Sequence, residues 1–227
     1  PLAVLRWYRA YWLVISTTTL SLLVAMLGVW LWVPTLAETQ TLSMRWIVVI
    51  WLGYLIPHAV LAGGLHLWLY RAKGQGVQRK YDKRGQINDN GTFTFRSQVL
   101  DNMFWSLVSG ISFATLYTSL WFWAAGNGLA ATTTFAQDPI WYVVWFALLP
   151  AWGSFHFYWV HRALHQPALY KYAHALHHRN VNVGPWSGIS MHPIEHAIYF
   201  SSLLIHFVVP TSPMHIIFHV YTFTLHP

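Results

Sequence analysis

The chain has 227 residues, of which 56% are hydrophobic and only 8% are charged. A soluble domain usually carries about a quarter charged residues, so this composition predicts an integral membrane protein. The chain contains no cysteine, which excludes disulfides, thiolate zinc sites and iron–sulfur clusters within these residues. Fourteen histidines against six acidic residues form the imbalance that the sequence has to explain.

Four apolar runs are long enough to cross a bilayer, which takes roughly 20 residues. They lie at about residues 11–33, 46–70, 103–125 and 140–160. A further apolar stretch, 197–225, is interrupted by Pro210 and Pro213, which indicate a turn. Its halves, about 197–209 and 214–226, are each too short to span, so we expect a helical hairpin; a single kinked span is the alternative. The predicted fold class is all-α integral membrane, with four transmembrane helices plus this hairpin.

The distribution of basic residues predicts an orientation. Seven of the thirteen lie between Arg71 and Arg96, in a polar stretch between two spans, which is the pattern of a cytoplasmic loop. We therefore expect the N-terminus and the segment after Val160 on the cytoplasmic side, and no binding of nucleic acid. The chain is predicted to be one membrane domain, 1–227, with a two-helix part and basic loop at 1–98 and a histidine-rich part at 99–227.

Seven histidines follow the fourth span at spacings that place side chains on one helix face. They form three groups: His161 and His165; His174, His177 and His178; and His192 and His196. A helical pair four residues apart can direct two ring nitrogens at one metal ion. Imidazoles gathered at a membrane face repel one another when protonated and need partners when neutral, and a metal satisfies that need. The sequence therefore predicts a histidine-rich metal site at the cytoplasmic face.

The other histidines, and Glu195 near the third histidine group, are interpreted without a metal-ligand role. Five single histidines in apolar stretches are interpreted as hydrogen-bonded packing residues: His58, His66, His206, His215 and His219. His156 is expected to pack or to support a ligand. Glu195 either orients a ligand imidazole or forms a salt bridge with Arg162 or Arg179. The chain has too few acids for a carboxylate-bridged di-iron bundle, and imidazole alone does not select among iron, zinc and copper.

These histidine groups resemble the histidine boxes of a known superfamily. The spacings His161-x3-His165 and His174-x2-His177-His178 and the segment beginning at His192 are similar to those of the fatty-acid hydroxylase/sterol desaturase superfamily, and residues 179–188 are similar to its bacterial members. The resemblance covers roughly 95–227. It implies metal-ligand roles for His161, His165, His174, His177, His178 and His192, with His196 and His226 as further candidates.

The resemblance also implies a function. Members are membrane di-iron enzymes that use O2 and electrons from an external donor to hydroxylate or desaturate lipids. We therefore expect two iron ions (or zinc), O2, a lipid substrate such as a sterol or fatty acyl chain, and an electron-transfer protein or other membrane subunits as partners. The expected location is a bacterial inner membrane. The family's final His-x2-His-His box is not found before Pro227, so we expect the chain to be C-terminally incomplete.

Two other functional classes stay open at the level of sequence. One is a non-catalytic member of the superfamily that serves as a subunit of a larger membrane complex. The other is a membrane hydrolase that uses zinc-bound water.

Overall fold

The computed structural model describes residues 2–12, 16–80 and 82–225, and within these ranges it is helical, with two isolated bridges and no β-strand. The first helices are α1 (Leu2–Trp12), α2 (Thr17–Leu31), α3 (Met44–Arg71), α4 (Gln98–Gly126) and α5 (Pro139–Leu164). The later ones are α6 (Pro167–Leu169, Tyr170–His174 and Ala175–His178), α7 (Pro193–Phe200, continued as a 3-10 helix over Ser201–Phe207) and α8 (Pro213–Thr224). Three stretches are π-helical: Leu67–Arg71, Trp105–Gly110 and Tyr170–His174.

Among the described residues, three helices are long and apolar enough to cross a membrane. These are α3, α4 and α5, with 28, 29 and 26 residues. Helix α2 is apolar but has only 15 residues, and the predicted first span, 11–33, includes residues 13–15, which lie outside the described ones. The structure thus confirms an all-helical membrane protein, whereas a count of four spans and the cytoplasmic face stay predictions.

Helices α7 and α8 pack against each other in antiparallel orientation. The rings of Tyr199 and Phe223 lie 4.7 Å apart between centroids, and His206 Nε2 lies 2.9 Å from His219 Nδ1. As the residue number rises along α7, the number of its partner on α8 falls, so the chain turns back between them. The predicted hairpin is therefore confirmed, and the turn falls at the two prolines that indicated it.

The returning helix α8 occupies the centre of the bundle. The side chain of Tyr221 is fully buried and its hydroxyl donates to the carbonyl of Gly53 in α3, at 2.7 Å. Ser21 of α2 donates to the carbonyl of Tyr221, at 3.1 Å. Since α8 contacts α2, α3, α4 and α5, it joins the N-terminal helices to the histidine-rich part.

The histidines that the sequence assigns to packing do pack within this bundle. His58 donates from Nδ1 to the carbonyl of Thr224 at 2.6 Å, and His215 donates from Nε2 to the carbonyl of Tyr142 at 2.8 Å. His66 stacks on Tyr70, and His156 contacts Ser201 through Nε2 at 3.0 Å. His206 and His219 contact each other, as described above.

Candidate metal centre

Four histidines converge where α5 ends and α6 turns back beside it. His161 lies in the last turn of α5, and His165 follows its last residue; His174 and His178 lie on α6. The Nε2 atoms of His161 and His165 are 3.1 Å apart, and those of His174 and His178 are 2.9 Å apart. One ring nitrogen from each of the four lies within 4.8 Å of all the others. These four residues are called the four-histidine cluster below.

Local backbone geometry positions the second pair. Residues 166 and 167 reverse the chain after α5, and Pro167 begins α6 at the first helical position, where its missing N–H is not needed. The stretch Tyr170–His174 is π-helical, a distortion often found at functional sites. It ends at His174, whose ring faces that of His161 at 4.8 Å between centroids.

The chemistry of the cluster fits a metal ion. Two unprotonated imidazole nitrogens that face each other at about 3 Å repel through their lone pairs unless a proton or a cation lies between them. Burial, together with a smaller effect of the neighbouring His165, lowers the pKa of His174 to about 4. Burial also lowers the pKa of His178, and the neighbouring His174 contributes a smaller lowering. These rings are therefore neutral near pH 7, which is the form that binds metals.

Glu195 supports the cluster from α7. Its Oε1 accepts a hydrogen bond from His174 Nδ1 at 2.7 Å, and the Glu195 side chain is only 2% exposed. With the proton held on Nδ1, the Nε2 of His174 carries the lone pair that faces the cluster. Burial raises the pKa of the Glu195 carboxyl to about 8. Arg179, one of the alternative partners, pairs instead with Asp101, and the other, Arg162, donates to the hydroxyl of Tyr158.

Two further predicted ligands lie outside the four-histidine cluster. His177 donates from Nδ1 to the carbonyl of Ser190 at 3.3 Å, which leaves its Nε2 unprotonated. His192 caps α7, since its Nδ1 accepts from the backbone N–H of Ile194 at 3.2 Å. Adjacent helical residues diverge by about 100°, which explains why His177 and His178 point in different directions.

The remaining two candidates differ. His196 is fully buried with both ring nitrogens engaged: Nδ1 accepts from the Ser109 hydroxyl at 2.9 Å, and Nε2 donates to the carbonyl of Ile189 at 3.0 Å. It is therefore placed as a packing residue between α7 and α4. A Cβ at Gly110 would lie 3.1 Å from His196 Nε2, so this glycine makes room for the ring. His226 lies outside the described residues.

Sequence reasoning missed a buried ion pair behind the site. Arg179, directly after the second histidine box, pairs with Asp101, which is fully buried near the start of α4. Asp101 also accepts from the backbone N–H of Thr94 at 2.7 Å. Nearby, Gln98 donates to the carbonyl of Asn182 at 2.7 Å. These contacts join the basic loop and the start of α4 to the loop that follows the second histidine box. The sequence feature that could have indicated them is the group of polar residues within Gln98–Asn102, at the start of an otherwise apolar helix.

A cavity of about 360 Å³ reaches the candidate ligands His161 and His177 from the apolar bundle. At one end it is lined by His161, His177 and Glu195, and it continues past apolar walls to Thr18 and Thr222 on α2 and α8. The walls include Gly153, Phe157, Leu164 and Phe223. A separate groove of about 870 Å³ opens on the other side of His177 and His178. The cavity is thus an apolar space with imidazoles and a carboxyl at one end.

Comparison with known proteins agrees with this geometry. The family model described as fatty acid hydroxylase matches residues 146–226, which include the four-histidine cluster. A Delta(7)-sterol 5(6)-desaturase of Aspergillus fumigatus is 34% identical over 93 residues, which are 40% of this chain and 29% of that protein. A Delta(7)-sterol 5(6)-desaturase of Gibberella zeae is 34% identical over 89 residues, 39% of this chain and 27% of that protein.

A fatty acid hydroxylase of Mycosarcoma maydis is 52% identical over 50 residues, 21% of this chain and 12% of that protein. No solved structure matches the chain. The chain spans less than a third of the length of the desaturases it matches. These comparisons support a relation of the histidine-rich residues 146–226 to the fatty-acid hydroxylase/sterol desaturase superfamily.

Proposed function

We propose that this chain is part of an O2-dependent membrane lipid hydroxylase or desaturase that contains histidine-bound iron. The observation that carries the proposal is the convergence of four imidazole nitrogens beside an apolar cavity. An apolar cavity suits a hydrocarbon substrate, and imidazole suits iron. The names of the relatives, sterol desaturase and fatty acid hydroxylase, support a lipid substrate.

The residues present fit the implied metal in their number and in the type of donor atom. His161, His165, His174 and His178 would hold one ion through Nε2. A second iron would take the Nε2 of His177 and further ligands, for which His192 and His226 are the candidates. When bound, iron supplies the activation of O2 that oxidation of an unreactive C–H bond requires.

The chain's own residues prepare this chemistry. Glu195 fixes the tautomer of His174 and so keeps its metal-facing nitrogen unprotonated. Phe157 and Phe223 form apolar walls that exclude water from the inner end of the cavity. A lipid chain that enters between α2, α5 and α8 would place its C–H bonds at the end lined by His161 and His177.

Reducing electrons must come from outside the chain. We propose a separate electron-transfer protein that docks on the face carrying the four-histidine cluster, because His165 and His178 are exposed there. The proposal includes either reaction, hydroxylation or desaturation, and either a sterol, a fatty acyl chain or another lipid as substrate. It also includes a location in a bacterial inner membrane, with the site on the cytoplasmic side.

The test uses the full-length protein in membranes from an expressing cell. Iron per chain is measured by mass spectrometry, and lipid extracts are compared with and without O2 and reductant. The proposal expects iron and an oxygenated or desaturated lipid that needs both, and the product is lost in a His165→Ala variant. Zinc with activity that survives without O2 would instead support a hydrolase, and a metal-free protein in a stable larger complex would support a non-catalytic subunit.

A further inference from the structure

A small pocket of about 190 Å³ lies where α3 ends and the basic loop begins. Its lining includes four cationic side chains and two residues of the last turn of α3: Leu69, Tyr70, Lys73, Lys80, Lys83 and Arg84. We call it the basic pocket. It is separate from the cavity that reaches His161 and Glu195.

The backbone after α3 folds back over the helix end to form this pocket. The N–H of Gly74 donates to the carbonyl of Trp68, and that of Gly76 donates to the carbonyl of Lys73, each at 2.8 Å. Gly76 adopts φ = +75°, a conformation that favours glycine, and thereby turns the chain into the short 3-10 helix Val77–Arg79. This turn brings Lys80 back to the end of α3, with Nζ 4.8 Å from the centroid of the Tyr70 ring.

The pocket carries more positive charge than its surroundings neutralise. Asp82 is paired with Arg84 at 2.6 Å, and Asp89, the other acid of this loop, is paired with Arg96 at 2.8 Å. In the part of the loop that the structure describes, which omits Tyr81, the lysines form no ion pair with a carboxylate. Lys80 donates to the carbonyl of Arg84. The three lysines that line the pocket therefore have no carboxylate counter-ion among the described residues.

The pocket also lies at the level where a membrane meets water. Leu69 and Tyr70 belong to the last turn of a membrane-competent helix, and the neighbouring Leu67 and Trp68 are 61% and 51% exposed. An aromatic residue at the end of a span typically lies at headgroup level. A group bound beside Lys73 and Lys83 would thus have hydrocarbon next to it, along the outer face of α3.

We propose that the basic pocket binds the phosphate of an anionic phospholipid headgroup. Clustered lysines at the end of a span attract anionic lipids, and a concave site adds contacts that a flat basic surface lacks. The acyl chains would lie along Leu67 and Trp68. The site is independent of the metal centre and does not rest on the proposed enzymatic activity.

The test counts bound lipid on the full-length protein in detergent by native mass spectrometry. Phosphatidylglycerol, phosphatidylcholine and inorganic phosphate are titrated separately. Phosphatidylglycerol is expected to bind in a salt-sensitive manner, and the double variant Lys73→Gln/Lys83→Gln to weaken this binding roughly 25-fold, since each basic side chain near an anionic lipid contributes about fivefold in affinity. The variant Lys73→Arg/Lys83→Arg keeps the charge and is expected to retain binding.

A matched control separates a pocket from diffuse attraction. The variant Arg71→Gln/Arg79→Gln removes the same charge from the last residue of α3 and from the loop after it, but neither residue lines the pocket. Its phosphatidylglycerol affinity is expected to fall by less than about fivefold. Equal losses in the two glutamine variants, or equal binding of phosphatidylcholine, would overturn the proposal. Binding of inorganic phosphate with no preference for the lipid would overturn the lipid assignment.

Discussion

The carboxyl group of Glu195 accepts a hydrogen bond from Nδ1 of His174 at 2.7 Å, within a pair that is almost completely enclosed. Arg179, which the sequence offered as a salt-bridge partner for Glu195, forms its ion pair with Asp101 instead. One buried acid therefore determines which nitrogen of His174 is free for a metal. This relationship leads to the first prediction.

The substitution Glu195→Gln is expected to weaken metal binding by about 10-fold to 100-fold, because carboxylates that hydrogen bond to ligand imidazoles typically contribute that much. The dissociation constant is measured by competition with a chelator on the full-length protein. Glu38→Gln is the matched control, since Glu38 accepts from Thr35 in a loop remote from the cluster. Equal affinity of Glu195→Gln and the unsubstituted protein would contradict the role.

Removal of a cluster histidine is expected to lower metal content. His178→Ala takes away one of four converging nitrogens, so the metal-to-chain ratio after dialysis falls. His66→Ala is the control, since this ring stacks on Tyr70 and lies outside the cluster. A ratio in His178→Ala that equals that of the control would show that the cluster does not hold the metal.

The hairpin histidines are expected to affect stability rather than metal binding. His206→Ala leaves the fully buried His219 without its partner on Nδ1, which costs about 1–3 kcal/mol for an unsatisfied polar group. Thermal unfolding in detergent measures this loss, with the exposed Leu204→Ala on the same 3-10 helix as control. Loss of metal with unchanged unfolding temperature would reverse the interpretation.

The buried pair behind the second histidine box is expected to be a large stabilising contact. Asp101→Asn leaves the Arg179 charge partly enclosed without its counter-ion, and breaking such pairs costs about 3–5 kcal/mol. Asp89→Asn makes the same chemical change in an exposed pair with Arg96 and is expected to alter stability little. Equal shifts in unfolding temperature for the two variants would contradict this ranking.

The sequence predicted which histidines of the site lie next to each other on one helix, but not how the two helical pairs come together. Helical periodicity brings together residues four apart, and the structure places His161 beside His165 and His174 beside His178. The meeting of the two pairs depends on the reversal at Pro167 and on a π-helical stretch, and neither has a distinctive sequence pattern.

His196 shows why spacing alone does not identify a ligand. It lies four residues after His192, the same spacing as in the two pairs of the four-histidine cluster, but its two nitrogens are used by Ser109 and Ile189. These partners come from another helix and from the preceding loop, and their positions follow from tertiary packing. The hairpin, by contrast, was predictable, because two prolines three residues apart, Pro210 and Pro213, form a turn signal. A single proline is not enough, since Pro57 and Pro150 lie inside α3 and α5.

All four cluster histidines come from one short stretch, from the end of α5 to the end of α6. A metal bound there closes a loop of only a few residues, and the entropy lost in closing so short a loop is small. The central helix α8 is held by contacts of its own, such as that between Tyr221 and Gly53. Metal loss should therefore leave the bundle assembled and His174 still held by Glu195, so that the site can be loaded after the helices have packed.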